Sequence, residues 1–593
     1  MFKCRRGTYD TGRRTAVPTL AMCAIALIPM TSAALADGDV IAQVRSDVAR
    51  TNALTENVQL PLTMVWKTTT AAVPKTTQTP LYKNGIIYFA LGKDVYAVRA
   101  ADGTTLWTYS GSSTFNATPA MSDDALFIGC DDAHLYKLNL NDGSVIWSKA
   151  FGGPLRSSPA IADGHLYFGD EDGDVYNVNA STGSTYWTFQ ASGAVSTPIA
   201  MTDDGKLFFA AADSNVYCLS SETGHEEWQL LFQGDLGATS PCYANDTFYV
   251  ASGRTLYALN PNHGAIRWQV DFGGQISCPP TVGVDNIYVT TDQNKLVALN
   301  VHGNILWSKN IGLASAAPAL LAGDTVILAA DHGAIYAFDA DSGARKWDYV
   351  VQPSGTRTKP AGVDLCSTPI FADNTLYVLG DDGSLSAFRN QALDQAGPVI
   401  YNVTPTPGSS ISEPSLNFAA TVVDEGSGIA PGTLSMTVDG KPVTAITYDA
   451  GSNGVRTTVD PLAIPGPNTP SLPHLSNGAH TVVMTIADWK GNSISKTWGF
   501  MITNADAKTA AEQALADHPP IPDAPPDDDN GGGAQNGAGS VNGGGNAQQQ
   551  PANTRPPNVR PFGAGGAQGQ GVAPSGRGTV PPGNPSAPPP PPI

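Results

Sequence analysis

Ser157-Ser158-Pro159-Ala160-Ile161-Ala162-Asp163-Gly164-His165-Leu166-Tyr167-Phe168-Gly169-Asp170-Glu171-Asp172-Gly173-Asp174-Val175-Tyr176-Asn177-Val178-Asn179-Ala180-Ser181-Thr182-Gly183-Ser184-Thr185-Tyr186-Trp187-Thr188-Phe189 decides the fold. Three turn signals, Asp163-Gly164, Asp172-Gly173 and Thr182-Gly183, cut this stretch into four short runs rich in β-branched and aromatic residues. Asp-Gly between such runs is a hairpin signal. Pro159 stands near the start of the first run, where a missing N–H is tolerated. Four antiparallel strands in about forty residues is the period of a propeller blade. A helical repeat is excluded, because Gly and Pro interrupt any 3.6-residue pattern.

The unit recurs along the chain. Trp66, Trp107, Trp147, Trp187, Trp228, Trp268, Trp307 and Trp347 are spaced by 41, 40, 40, 41, 40, 39 and 40 residues. The last seven follow a glycine by four positions: Gly103, Gly143, Gly183, Gly224, Gly264, Gly303 and Gly343. Pro80, Pro119, Pro159, Pro198, Pro241, Pro280, Pro318 and Pro369 run in phase with them. Two series with one period identify a repeat architecture. A tryptophan buries roughly 150–250 Å², so one per blade fills each gap between blades. Runs such as Ile86-Ile87-Tyr88-Phe89-Ala90 lack polar alternation, as expected of a sheet covered on both faces. The last unit, 367–389, has no tryptophan after it, while Trp66 precedes the first unit. An eight-bladed ring follows, closed by the strand around 64–68, which removes the exposed edges of an open array.

The segments Tyr96-Ala97-Val98…Asp102-Gly103…Trp107, Tyr257-Ala258-Leu259-Asn260…Gly264…Trp268 and Tyr336-Ala337-Phe338-Asp339…Gly343…Trp347 resemble the tryptophan-docking repeats of the pyrroloquinoline-quinone (PQQ) propeller superfamily, over about residues 60–392. That superfamily includes quinoprotein dehydrogenases and the non-catalytic propeller of the bacterial outer-membrane β-barrel assembly machinery. The resemblance therefore implies the fold and leaves the function open. A quinoprotein of this kind holds PQQ on Ca²⁺ in the central funnel with Glu, Asn and Asp ligands, an Arg, a stacking Trp and commonly a vicinal Cys-Cys disulfide. This chain has no adjacent cysteines and no CxxCH, and its eight repeat tryptophans are assigned to docking. No cofactor is expected; PQQ and Ca²⁺ belong to the alternative reading.

Charge narrows the partners. The chain has 593 residues, 33 Lys+Arg against 52 Asp+Glu and a net charge of −19. An acidic surface of this kind is not that of a nucleic-acid binder. Residues 1–36 read as a secretory signal: Arg5, Arg6, Arg13 and Arg14 precede an apolar stretch, and Ala34-Leu35-Ala36 marks cleavage after Ala36. No later segment is apolar for long enough to span a bilayer. The expectation is an exported monomer, in the periplasm and cell envelope or secreted. Cys130, Cys218, Cys242, Cys278 and Cys366 are odd in number with no CxxC, and read as buried small side chains.

Metal and nucleophile motifs are absent. Asp170-Glu171-Asp172-Gly173-Asp174 lacks a glutamate at the twelfth position of a calcium loop and falls on a hairpin turn. The histidines are scattered, and there is no HExxH, GxSxG or phosphate-binding glycine loop. One irregularity stands out: Pro318 and Pro369 are 51 residues apart, and the surplus places Arg357 and Lys359 in a loop at the channel face. These two are the candidate binding residues. Residues 37–59 form a lead segment without an assigned role.

Past 397 the repeat stops. About seven short strands over 397–503 predict a β-sandwich. Asp424-Glu425-Gly426-Ser427-Gly428, Asn477-Gly478-Ala479-His480-Thr481 and Asp488-Trp489-Lys490-Gly491-Asn492 resemble bacterial immunoglobulin-like modules. Asp424 and Asp488 are calcium positions in some such modules; no metal is expected here. Residues 505–593, rich in Pro and Gly and poor in large apolar side chains, are expected to be disordered. The leading function is a non-catalytic propeller that binds or scaffolds an envelope or extracellular protein. The alternatives are a PQQ/Ca²⁺ quinoprotein dehydrogenase and a carbohydrate- or polymer-binding protein.

Overall fold

The computed structural model describes residues 40–41, 43, 47, 49–70, 78–234, 236, 240–352, 363–365, 367–390, 392–412, 417–449, 454–457 and 475–503. The signal-like residues 1–36, Arg357, Lys359, Cys366 and the segment from 505 onward lie outside the described residues. Apart from one 3-10 turn at Asp331–Gly333, every regular element among the described residues is a strand.

The stretch quoted first forms one sheet of Ala160–Ala162, His165–Gly169, Asp174–Asn179 and Thr185–Gln190, antiparallel throughout. Seven further sheets repeat this four-strand order, making eight blades. Blades 1 to 7 span residues 81–110, 120–150, 160–190, 200–231, 242–271, 281–310 and 320–350. Blade 8 takes Ile370–Ala372, Thr375–Leu379 and Ser384–Arg389 from the end of the repeat. Its fourth strand is Thr63–Thr69, with Trp66 opposite Ala387. The ring is therefore closed by the start of the chain, as the unpaired Trp66 requires.

Each outer strand carries its tryptophan against the next blade. The indole N–H groups of Trp66, Trp107, Trp187, Trp228, Trp268 and Trp307 donate to carbonyls of Ala100, Leu140, Ser221, Pro261, Val301 and Ala340 at 2.9–3.0 Å. Trp147 reaches Ser181 O at 3.2 Å. The glycine of the receiving turn lies under the ring. A Cβ on Gly143 (φ +71°) would stand 2.5 Å from Trp107 Cε3. That position needs glycine twice, for its left-handed backbone and for the close approach.

Nearer the axis, the residues around each proline link the blades. Thr79 N donates to Thr118 Oγ1 (3.0 Å), Thr118 N to Ser158 Oγ (2.9 Å), and Ser157 Oγ to Thr197 O (2.8 Å).

The described residues of the lead segment, 40–41, 43, 47 and 49–59, bond to one blade after another near the inner strands. Val40–Ile41 pairs with the inner strand of blade 1, and Gln43 exchanges two bonds of 3.0 Å with Ile161 of blade 3. Tyr243 N of blade 5 donates to Ala49 O, and Val282 N of blade 6 donates to Thr51 O. Ala53–Leu54 adds a parallel strand to blade 7. Between these contacts sits Arg50, fully buried. Its Nε donates to Ile199 O at 3.0 Å and its Nη2 to Pro159 O at 3.3 Å. The strap thus ties blades 1 and 3 to 7 together and then becomes the edge of blade 8.

Residues 399–502 form two sheets with nine strands among the described residues. Val422, Met436, Val482, Met484, Trp498 and Phe500 lie in the core between them. This sandwich docks on blades 7 and 8. Trp347, on blade 7, faces a blade 8 whose third and fourth strands come from distant parts of the chain, so no turn joins them to receive its indole. Its indole N–H donates to Ser427 O of the sandwich at 3.0 Å, and Tyr349 OH donates to Glu425 O at 3.1 Å. In return, Trp489 Nε1 donates to Asp348 O at 3.1 Å, and Lys490 Nζ to Asn390 O at 2.7 Å. Asp348 and Asp424 line one cavity of about 10 Å³ at this junction, with Tyr448 and Gly428. Burial pushes both carboxyls up to about 6.

Two outcomes follow. Arg50→Met removes the donors for two buried carbonyls, and hydrogen bonds to charged groups are worth about 1.5–3 kcal/mol each. The variant should unfold at lower denaturant than the parent, by about 3 kcal/mol, in equilibrium denaturation. For Asp348 the folded pKa lies above the unfolded value, so its destabilising effect is absent below about pH 4 and complete above about pH 6. Asp348→Asn should raise the melting temperature at pH 7.5 and change it little at pH 4, measured by calorimetry at both pH values.

Candidate functional site

The turns between second and third strands, with the connections between blades, form one mouth of the channel. In six blades a turn residue donates its N–H to the preceding connection: Asp131 to Thr114, Glu171 to Pro154, Ala212 to Ala194, Asp292 to Gln275, Asp331 to Ala314 and Asp381 to Asp364. Five of those six turn residues are acidic. Turn chemistry explains the aspartates locally, since their side chains accept neighbouring N–H groups. Asp170 Oδ1 takes the N–H groups of Asp172 (3.0 Å) and Asp174 (2.9 Å), which settles that acidic run as a turn. Their concentration around one opening is a property of the ring.

On one side of the mouth Arg156 bridges two blades. Its Nε donates to Asp131 Oδ1 at 3.0 Å and its Nη1 lies 3.7 Å from Glu171 Oε2. Asn116 Nδ2 donates to Asp131 Oδ2 at 2.7 Å, and Ser196 Oγ to Glu171 Oε1 at 2.8 Å. Across blades 7 and 8, His332 N donates to Asp364 Oδ1 and Asp364 N to Asp381 Oδ1, both at 3.0 Å. Burial, then the charges of Asp364 and Asp381, hold the Asp331 carboxyl above its ordinary range. The mouth is an acidic, hydrogen-bonded rim.

This arrangement does not fit PQQ. The group is a quinone bearing several carboxylates, and this rim would repel it. Arg156 is already shared by two carboxylates, and the fully buried Arg50 is engaged with the carbonyls of Ile199 and Pro159. The repeat tryptophans stand on outer strands, seven of them bonded to the following blade and Trp347 to the sandwich, so none is placed to stack on a group in the channel. Cys130, next to Asp131, is a buried thiol pushed up to about 11 by burial. Cys218, Cys242 and Cys278 are buried thiols as well.

Carboxylate oxygens of Asp394, Asp424 and Asp488 lie within 4.8 Å of one another beside the sandwich junction. Each is engaged in pinning a loop. Asp424 Oδ2 accepts from Gly426 N (3.0 Å) and Gly428 N (2.7 Å), and Asp394 Oδ2 accepts from Ser427 N (2.7 Å). Asp488 holds the backbone and side-chain N–H of Asn492 at 2.8 and 2.7 Å.

Sequence reasoning placed the acidic turns but missed the rim, the strap and the sandwich contact of Trp347. Trp347 offered a signal: no Gly-x-x-x-Trp unit follows it to receive its ring.

Among solved structures, a europium-containing methanol dehydrogenase matches 60% of this chain and 98% of its own, at 12% identity and a TM-score of 0.51. The quinohemoprotein alcohol dehydrogenase of Comamonas testosteroni matches 60% and 82%, at 12% identity and 0.50. BamB of Moraxella catarrhalis matches 56% and 99%, at 16% identity and 0.46. At these identities the dehydrogenases show the propeller fold alone. A search of the curated proteins finds no match. The family model described as outer membrane protein assembly factor BamB matches residues 91–231 and 212–417. These matches span more than half of the sequence, and on that ground the chain belongs to this family of PQQ-like propeller repeat proteins.

Proposed function

We propose that this protein is an exported, non-catalytic propeller that binds a basic segment of an envelope or extracellular protein at its acidic mouth. One observation supports the reading: the lead segment bonds to blades 1 and 3 to 7 with Arg50 buried among them, on the side of the ring where the resemblance would have a catalytic propeller hold its cofactor. What the ring then offers is a rigid surface of loops, and loops on rigid scaffolds are where binding residues concentrate. Asp131, Glu171, Asp331 and Asp381 supply charge that attracts and orients a cationic partner. The sandwich, read as an immunoglobulin-like module, adds a second exposed body. Membership in an envelope-associated family supports export, and no helix among the described residues is long and apolar enough to cross a membrane. Arg357 and Lys359 are proposed as further contacts.

The test has two arms. Incubation with PQQ and Ca²⁺ followed by gel filtration should leave no quinone absorbance with the protein and no alcohol-dependent dye reduction. Retained quinone with turnover would replace this reading by the dehydrogenase. In cross-linking from envelope extracts, Asp131→Asn/Glu171→Gln should reduce capture of the partner at least several-fold, more at low salt than at high. Undiminished capture would remove the mouth from the interface.

A further inference from the structure

The turns between second and third strands are not all of one length: those of blades 1 and 5 have two residues, and a cleft accompanies the one in blade 5. In blades 2, 3 and 4 the second and third strands are joined by four residues: 130–133, 170–173 and 211–214. An aspartate in each turn receives the hydroxyl of a tyrosine on the third strand. Tyr136 donates to Asp132 at 2.7 Å, Tyr176 to Asp170 at 2.9 Å and Tyr217 to Asp213 at 2.5 Å. In blade 5 the turn shrinks to Gly253 and Arg254, between strands ending at Ser252 and starting at Thr255. The aspartate is gone, and Tyr257 has no such latch. Its ring instead packs edge-on against Phe232, with centroids 4.9 Å apart. Beside this short turn a cleft of about 540 Å³ opens.

The lining of this cleft defines what it can take. Arg254 is paired with Asp271 at 2.9 Å, so its charge is offset. Asp292 adds an acceptor, which disfavours phosphate and other anions. The side-chain amides of Gln233 and Gln275 line the cleft and make no hydrogen bond among the described residues. Each offers two donors and an acceptor. A Cβ on Gly253 or Gly273 would meet nothing within 4 Å, so the backbone is accessible there. Tyr257 supplies the one aromatic surface. The volume falls within the range of about 300–1,000 Å³ common for small-ligand sites. Paired donors and acceptors on planar amides suit vicinal hydroxyls, and a cleft with no apolar subsite does not suit peptide side chains.

From this geometry we infer that the cleft between blades 5 and 6 is a binding site for an uncharged saccharide. The site lies on the blade 5–6 side of the same mouth, away from the Arg156 bridge of blades 2 and 3, and does not rest on the protein-binding reading. It places glycan recognition on the same disc, through Gln233, Gln275 and Asp292 as hydrogen-bonding groups and Tyr257 as a platform.

Isothermal titration of the full chain with N,N′-diacetylchitobiose, cellotriose and maltotriose tests this. At least one should bind saturably, and Gln275→Ala/Asp292→Ala should weaken that binding tenfold or more without shifting the melting temperature. Should that variant lose stability, Gln233→Ala, an exposed side chain, carries the same expectation. Binding that is equal in the variants would place the saccharide elsewhere. Absence of binding by all three at millimolar concentration would overturn the inference, as would displacement of the bound sugar by an alanine-glycine hexapeptide but not by a second saccharide.

Discussion

The structure depends on a tryptophan whose indole N–H reaches a backbone carbonyl of the next blade while its ring rests on a glycine of that same turn. The hydrogen bond alone is worth about 1 kcal/mol. Burial of the ring adds several times that, and Trp→Ala in such a place costs about 3–5 kcal/mol. What makes the device decisive is its geometry. Bond and ring contact act on one turn, fixing both the distance and the angle between consecutive sheets. Repetition around the ring leaves no freedom except at the last position. There the sandwich supplies Ser427 O in place of the turn that blade 8 lacks, so a second domain is held by the same contact that holds the first together.

That device was legible in the sequence because it demands particular residues at fixed intervals. Only glycine allows the approach at 143, and only a large ring fills the gap at 107. The closing strand followed from the same logic, since Trp66 had no unit of its own. The strap was not legible. Most of its bonds run between backbone groups, as between Thr51 O and Val282 N, and these leave no trace in residue type. Arg50 is a single arginine in an unpatterned segment, and nothing in its neighbours marks it as buried. The blade 5 cleft escaped notice for a related reason. A hairpin one residue shorter than that of blade 3 barely disturbs a forty-residue period.

Fold and chemistry are separated in this molecule. The dehydrogenases among its structural neighbours share the ring at 12% identity, which carries the fold and not the chemistry. Here the centre is occupied by the chain itself, and the variable parts are displaced to the rim and the junctions. Asp131, Glu171, Asp331 and Asp381 are ordinary turn residues one at a time. A ring gathers them around one opening, and the collective field is stronger than any local sequence pattern suggests.

The strap also bears on the order in which the molecule is made. Residues 43–54 leave the ribosome before any blade exists, yet their partners lie in blades 3 to 7, with Asn52 held by Ala319. They must wait, unpaired, for nearly three hundred residues of later synthesis. Contacts so distant along the chain form late and slowly. This segment, made before blades 1 to 7, is therefore among the last to settle, and a ring interrupted before its seventh sheet would have a vacant hub. Completion of the disc is in effect checked at its centre, by a segment made well before the sheets that receive it.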